Sequence, residues 1–327
     1  MSDKLKNAVA SLEKRYGKGV VLAGDQTVAD VEFIDSGSLR LNHALGGGYP
    51  KGRVIEIYGE ESTGKTTLAI HACVKAQQQG LPCVYIDHEN AFDPAYAEAL
   101  GIDFSPELWL FSQPTSGEES FDIIEEFLST NEIGVIVVDS VAAMVPKGEL
   151  DGDFGDSKMG LHARLMSQGF RKLISKVSKS STCLIFINQM RDRIGVMFGD
   201  PKTTTGGNAL KFYASQRLRI YRTGSNKDRE GIDMVSNNIR IEVKKNKVAP
   251  PFRKCELVIE FGVGFDTYAE IISLAVELGI IKKSGSWYAY DDGTKLGQGD
   301  NNVKQLLKDN PELFEEIQLR VSKNFKS

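Results

Sequence analysis

"GEESTGKTT", Gly59–Thr67, is the stretch on which the fold turns. It satisfies G-x-x-x-x-G-K-[S/T] in full. An apolar run, "VIEIYG", leads into it, and a helix-like run, "GKTTLAIHACVKAQQQG", leads away and closes at Gly80. A strand before and a helix after is the context this motif requires. Gly59, Glu60, Glu61, Ser62, Thr63 and Gly64 form a loop whose amides fold around phosphate oxygens, and the helix N-terminus adds its positive end. Lys65 is expected to bridge β- and γ-phosphates and Thr66 to ligate Mg2+, with Thr67 in the same turn. Such sites also need an acid on another strand. "GVIVVDS" supplies Asp139 at its end, with Ser140 beside it.

Outward from the loop the pattern is regular. Apolar runs "CVYIDHE", "LWLF", "GVIVVDS" and "CLIFINQ" alternate with helix-like segments, among them "SGEESFDIIEEFLS" with acidic residues in its first turn. Near-continuously apolar strands alternating with helices indicate an α/β fold with a mostly parallel central sheet covered by helices on both faces. Beyond Gln189, "RLRIYRTG", "NNIRIEVKKNK" and "KCELVIEFG" read as shorter antiparallel strands extending that sheet. Ahead of the core, Leu5, Val9, Leu12 and Tyr16 mark one face of a helix, and "VADVEFIDSGS" alternates like a half-buried strand. This pair either docks on another subunit or packs on its own core. The expected divisions are a small helix–strand element over 1–32, a core over 33–264 and a small α+β domain over 265–327, with a hairpin-like "SGSWYAYDDGTKLG".

In a parallel sheet the strand ends converge where ligands bind. Glu89, ending "CVYIDHE", is placed there to orient an attacking water, with Asp87 and His88 as competitors. Gln189 ends its strand on the same edge, where a neutral amide would report a γ-phosphate.

Composition is that of an ordinary globular protein, 41% hydrophobic and 26% charged over 327 residues. No apolar run approaches the roughly 18 residues of a membrane span. The start, "MSDKLKNAVASLEKRYGKG", lacks a secretory core, so a cytoplasmic protein is expected. Cys73, Cys83, Cys183 and Cys255 form no C-x-x-C pair and the four histidines no metal spacing; reduced thiols and no protein-built zinc or iron site are expected. Net charge is −4, yet Arg191–Lys254 holds 15 Lys and Arg against 6 Asp and Glu, a local +9. That asymmetry points to a surface facing a polyanion. Within it lies "RDRIGVMFGDPKTTTGGNALKF", Arg191–Phe212, a long connection with apolar residues at its centre.

These stretches, with "YIDHENAFDPAYAEALG", "GDSKMGLHARLMSQGFRKL", "INQMRDRIGVMFGDPKTTTGGNALKFYAS", "VKKNKVAPPF" and "GSWYAYDDGTKLGQG", closely resemble the bacterial RecA recombinase family along nearly the whole chain. The resemblance implies a RecA-type P-loop NTPase that binds ATP between protomers of a helical filament on single-stranded DNA, and pairs and exchanges strands with double-stranded DNA. It implies that Glu89 is the catalytic glutamate and Gln189 the γ-phosphate sensor. Lys65, Thr66 and Asp139 match the phosphate and magnesium residues. Asp93 and Tyr96 match adenine contacts, and Phe261 stands where a tyrosine is usual, keeping stacking without a hydroxyl. Lys245 and Lys247 match a pair reaching the neighbouring subunit's γ-phosphate.

The resemblance also implies two DNA loops, about 151–160 and 190–207. Arg164, Ser167, Arg171, Gly206, Gly207 and Asn208 match residues on the DNA backbone. Met159, Gly160, Ile194, Val196 and Phe198 match loop positions, the apolar ones against bases. The second loop is expected to order on DNA. A LexA-type repressor is a further partner the resemblance implies, its self-cleavage stimulated by the filament. Residues 301–327 carry five Lys and Arg against four Asp and Glu, so the acidic tail of many relatives is expected to be lacking. The rival reading is a RecA-fold hexameric DNA helicase motor, which would carry an N-terminal partner domain and an arginine finger. A small-molecule kinase leaves the local +9 without purpose, and Glu89 speaks against a scaffold that does not hydrolyse.

Overall fold

The computed structural model describes residues 1–18, 20–21, 31–153, 160–192, 202–227 and 231–325. Two units make up the chain, Met1–Glu32 and Phe33–Ser327. The first holds helix α1 (Asp3–Tyr16), ended by Gly17 at φ +98°. In the second, β1 (Phe33–Ile34) pairs antiparallel with β2 (Tyr49–Pro50) across the short α2 (Leu39–Leu45). The expected alternating strand is thus only two residues long and pairs within the main unit. Ile34, not Val31, is the side chain it buries. The return turn closes on this strand with bare backbone: a Cβ at Gly47 would stand 2.9 Å from the Phe33 ring and one at Gly48 2.4 Å from the Ile34 carbonyl oxygen.

The central layer follows in order: β3 (Arg53–Gly59), α3 (Lys65–Gln77), β4 (Cys83–Asp87), α4 (Pro94–Ala99), β5 (Trp109–Ser112), α5 (Gly117–Thr130), β6 (Val135–Asp139), α6 (Lys147–Leu150), α7 (Leu161–Val177) and β7 (Cys183–Asp192). Then come β8 (Lys202–Thr204), α8 (Ala209–Tyr213), β9 (Gln216–Lys227), β10 (Met234–Asn246), β11 (Lys254–Glu260) and β12 (Gly264–Phe265). The sheet runs β12-β11-β10-β9-β3-β7-β6-β4-β5, with β8 against β7. From β9 to β5 every pair is parallel; β10, β11 and β12 extend it antiparallel.

Strand side chains alternate between two cores, as the period of two demands. Ile55, Ile57, Val135, Val137, Ile185 and Ile187 join Leu68, Ala72 and Cys73 of α3 on one face. Val54, Ile136, Val138, Leu184 and Phe186 join Phe121 of α5 and Met166, Phe170 and Leu173 of α7 on the other. Glu56 of β3, fully buried, is held by Arg217 and by Asn188 Nδ2 at 3.0 Å, so its buried carboxylate is paired.

The last segment builds α9 (Thr267–Glu277), β13 (Ile281–Ser284), β14 (Trp287–Tyr290), β15 (Lys295–Gln298), α10 (Asp300–Asp309) and α11 (Pro311–Phe325). Its strands form a three-stranded sheet rather than a lone hairpin, over a core that includes Ile271, Leu274, Ile281, Val303 and Ile317. Ser38 Oγ and the Arg40 amide both donate to Glu270, at 2.5 and 2.9 Å, tying α2 to α9.

Phe170 packs against the rings of Phe121, Phe186 and Tyr213 with no exposure. Phe170→Ala should lower unfolding free energy by about 3–5 kcal/mol, read from the urea midpoint.

Candidate nucleotide site and nucleic-acid interface

Register brings the site together. Gly59 lies opposite Gln189 across β3 and β7, and Asp87 opposite Asp139 across β4 and β6. Four strand ends therefore reach one edge, where a cavity of about 430 Å3 opens. Glu61, Ser62, Thr63, Gly64, Lys65, Thr66, Thr67, Glu89, Tyr96, Asp139, Gln189 and Phe261 line it. Gly59 and Glu60, which begin the loop, do not line the cavity.

The loop has the backbone such a cradle needs. Gly64 takes φ +90° immediately before α3, and a Cβ there would lie 2.3 Å from Ile259 Cδ1. Ser62, at φ +55°, accepts a left-handed conformation uncommon outside glycine. The Lys65 ammonium donates to the Glu60 carbonyl at 2.6 Å. Burial pulls the Lys65 amine below its ordinary range, opposed by Asp139, Glu89 and Glu61.

Asp139 Oδ2 accepts from Tyr85 OH at 2.6 Å and from Thr66 Oγ1 at 2.9 Å. Burial pushes its carboxyl up to about 6, although both hydrogen bonds oppose the shift. A carboxylate so desolvated, beside a threonine hydroxyl at a phosphate loop, fits a divalent cation, whose charge would offset the lost hydration.

Glu89 is distinguished from its neighbours by what each is bonded to. Its Oε1 accepts from Ser140 Oγ at 2.6 Å and from Gln189 Nε2 at 2.9 Å, so it faces the cavity between two strand ends. Asp87 is buried and accepts from the amides of Glu89 and Asn90, both at 3.0 Å, and from Gln113 Nε2 at 3.2 Å. It holds the loop that carries Glu89 and is spent on that task. His88 turns away to Ser120 Oγ, 2.5 Å off, and burial lowers its imidazole.

Among the expected base contacts, Tyr96 OH lies 2.9 Å from Thr67 Oγ1, and Phe261 is half exposed at the cavity mouth. Asp93 does not line the cavity; its carboxylate caps α4, accepting from the Tyr96 amide at 3.1 Å. Asn237, Ile239 and Ile259 line it unforeseen. They come from the antiparallel extension, and nothing in local sequence ties them to the loop. Lys245 and Lys247 stand elsewhere. The Lys245 ammonium donates to the carbonyls of Lys211 and Phe212 at 2.8 and 2.9 Å, and Lys247 borders a separate cavity with Phe212 and Ser215.

Near the second expected site, Arg164 and Arg171 are exposed and Ser167 half-buried on α7, which begins after Gly160 at φ +84°. Their spacing of three and four keeps them on one helix face. Gly206 and Gly207, at φ +83° and +71°, pass directly over that helix: a Cβ on Gly207 would lie 2.9 Å from Ala163 Cβ, and one on Gly206 3.3 Å from Met166. Asn208 then opens α8. Met159, Ile194, Val196 and Phe198 lie outside the described residues, as does the expected ordering of the second loop.

A phosphate loop between β3 and α3, an acid ending β6 and a water-facing carboxylate beyond β4 define a P-loop ATPase. The RecA N-terminal domain family matches residues 3–266, and the RecA C-terminal domain family residues 269–326. The chain is 56% identical over 322 residues to "Protein RecA" of Bacteroides thetaiotaomicron, covering 97% of this chain and 96% of that one. It is 53% identical to "Protein RecA" of Porphyromonas gingivalis and 52% to that of Rhodospirillum rubrum, covering 92% and 87% of those proteins and 97% and 98% of this one. The chain belongs to the bacterial RecA family. It is an ATP-dependent DNA recombinase that couples ATP hydrolysis to strand exchange in recombination and repair, and the hexameric helicase reading finds no support. Among the described residues no helix is long and apolar enough to cross a membrane.

The Asp139 shift has a definite sign. A carboxyl raised to about 6 binds its proton more tightly folded than unfolded, so stability falls as pH climbs from near 4 through 6. Asn at this position keeps an oxygen for Tyr85 and Thr66 without the buried charge. Without nucleotide or divalent cation, Asp139→Asn should gain about 1–3 kcal/mol in urea unfolding at pH 8, the gain vanishing below about pH 4.

Proposed function

We propose that this protein hydrolyses ATP by in-line attack of a water oriented by Glu89, at a site closed between protomers of a filament on single-stranded DNA. The observation that carries the reading is the double hydrogen bond on Glu89 Oε1. Ser140 and Gln189 both donate to that oxygen, which leaves Oε2 as the acceptor for a water proton. Lys65 and the amides of Glu61–Thr67 bind the phosphates, and Tyr96 and Phe261 flank the base. Thr66 and Asp139 would hold Mg2+, partly through water, and the ion would neutralise phosphate charge. Gln189 serves as sensor because a γ-phosphate competes with Glu89 for its amide.

Lys245 and Lys247 act in trans, consistent with their distance from their own chain's cavity. The single-stranded DNA path runs over α7 and the Gly206–Asn208 turn, where exposed guanidinium groups and the turn's backbone amides meet phosphates. Gly160 opens that surface, and Met159, Ile194, Val196 and Phe198 supply the apolar contacts to bases. The amphipathic 1–32 segment docks on the neighbouring protomer, residues 33–264 form the ATPase core, and 265–327 guides duplex DNA. The filament works in the cytoplasm and stimulates self-cleavage of a LexA-type repressor.

Two measurements test this. Lys65→Ala should cut DNA-stimulated phosphate release at least about a hundredfold; undiminished turnover in the purified variant removes the site assignment. Arg164→Ala should weaken single-stranded DNA binding and reduce the salt slope of its affinity by about one, with nucleotide affinity kept; an unaltered slope removes α7 from the DNA path.

A further inference from the structure

Glu60 is held at both ends. Its carbonyl accepts from the Lys65 ammonium at 2.6 Å, and its carboxylate pairs with Lys202 Nζ. Lys202 begins β8, which returns from the second loop and pairs antiparallel with β7, Lys202 opposite Asp192 and Thr204 opposite Met190. One residue of the phosphate loop therefore touches both the phosphate-binding lysine and the stem of the 190–207 loop. Glu60 also lies in the field of Arg219 and Arg222 on β9, and Lys202 holds its carboxyl below the usual range. Both partners are substantially exposed, so the ion pair adds little to folding stability. Its position matters more than its strength.

We propose that Glu60 and Lys202 are positioning residues that carry ATP binding from the phosphate loop to the stem of the second DNA loop. A γ-phosphate that takes the Lys65 ammonium draws it off the Glu60 carbonyl. The Glu60 peptide then changes partner, and its carboxylate moves Lys202 and the β8 end with it. This route is separate from the Gln189 side chain, whose amide donates to Glu89 and not to Glu60. It rests on the reading that the 190–207 loop contacts DNA.

The test is the ratio of single-stranded DNA affinity with a saturating nonhydrolysable ATP analogue to that with saturating ADP. Lys202→Glu should lower this ratio at least about fivefold, and the charge swap Glu60→Lys with Lys202→Glu should return it to within about twofold of the parent. Urea midpoints close to the parent's would show the variants folded. A parental ratio in Lys202→Glu, or a swap as defective as Lys202→Glu alone, overturns the proposal. So does an equal loss of affinity in both nucleotide states, which would make Lys202 a plain DNA contact and leave the loop reading standing. Failure of that reading has its own signature: Asn208→Ala with unchanged DNA affinity in both states.

Discussion

One oxygen organises the site. Glu89 Oε1 takes hydrogen bonds from Ser140 and Gln189, so the ends of β4, β6 and β7 meet on a single atom. That meeting is available only because the parallel register brings Asp87 beside Asp139 and Gly59 beside Gln189. A slip of one residue would turn each of these side chains to the other sheet face. The apolar alternation of β3, β6 and β7 into two separate cores is what forbids the slip. Packing energy in the sheet is thus what keeps the catalytic edge in register.

Polar groups around that edge divide into those that build and those that are left to act. Asp87 is consumed by backbone amides, and Glu56 by Arg217 and Asn188. Asp139 accepts from Tyr85 and Thr66, yet burial leaves its carboxyl raised to about 6. Lys65 is likewise short of its ordinary affinity for protons. An acid and a base, both penalised by burial within one cavity, make a site whose electrostatics favour a ligand that brings phosphate and a divalent cation together.

Much of this was legible in the sequence. The phosphate loop, the alternating α/β pattern, Asp139 at a strand end and Glu89 and Gln189 on one edge all follow from periodicity and motif. The choice among Asp87, His88 and Glu89 did not. Three adjacent polar residues look alike along the chain, and only their hydrogen-bond partners separate them: loop amides for Asp87, Ser120 of α5 for His88, and the ends of β6 and β7 for Glu89. The N-terminal strand is shorter than its alternation suggests: only Phe33–Ile34 finds a partner strand, Tyr49–Pro50, across the Gly46–Gly48 turn, and alternation along the chain does not show how far that partner reaches.

By itself, then, the sequence determined which chemistry this protein carries, because a phosphate loop and its flanking elements are local features written in consecutive residues. Tertiary structure decided which residues share that chemistry. Asn237, Ile239 and Ile259 reach the nucleotide cavity from strands some 170 to 200 residues past the loop, and Lys202 reaches Glu60 from β8. Such neighbours are set by sheet order and register, which are properties of packing across the whole chain.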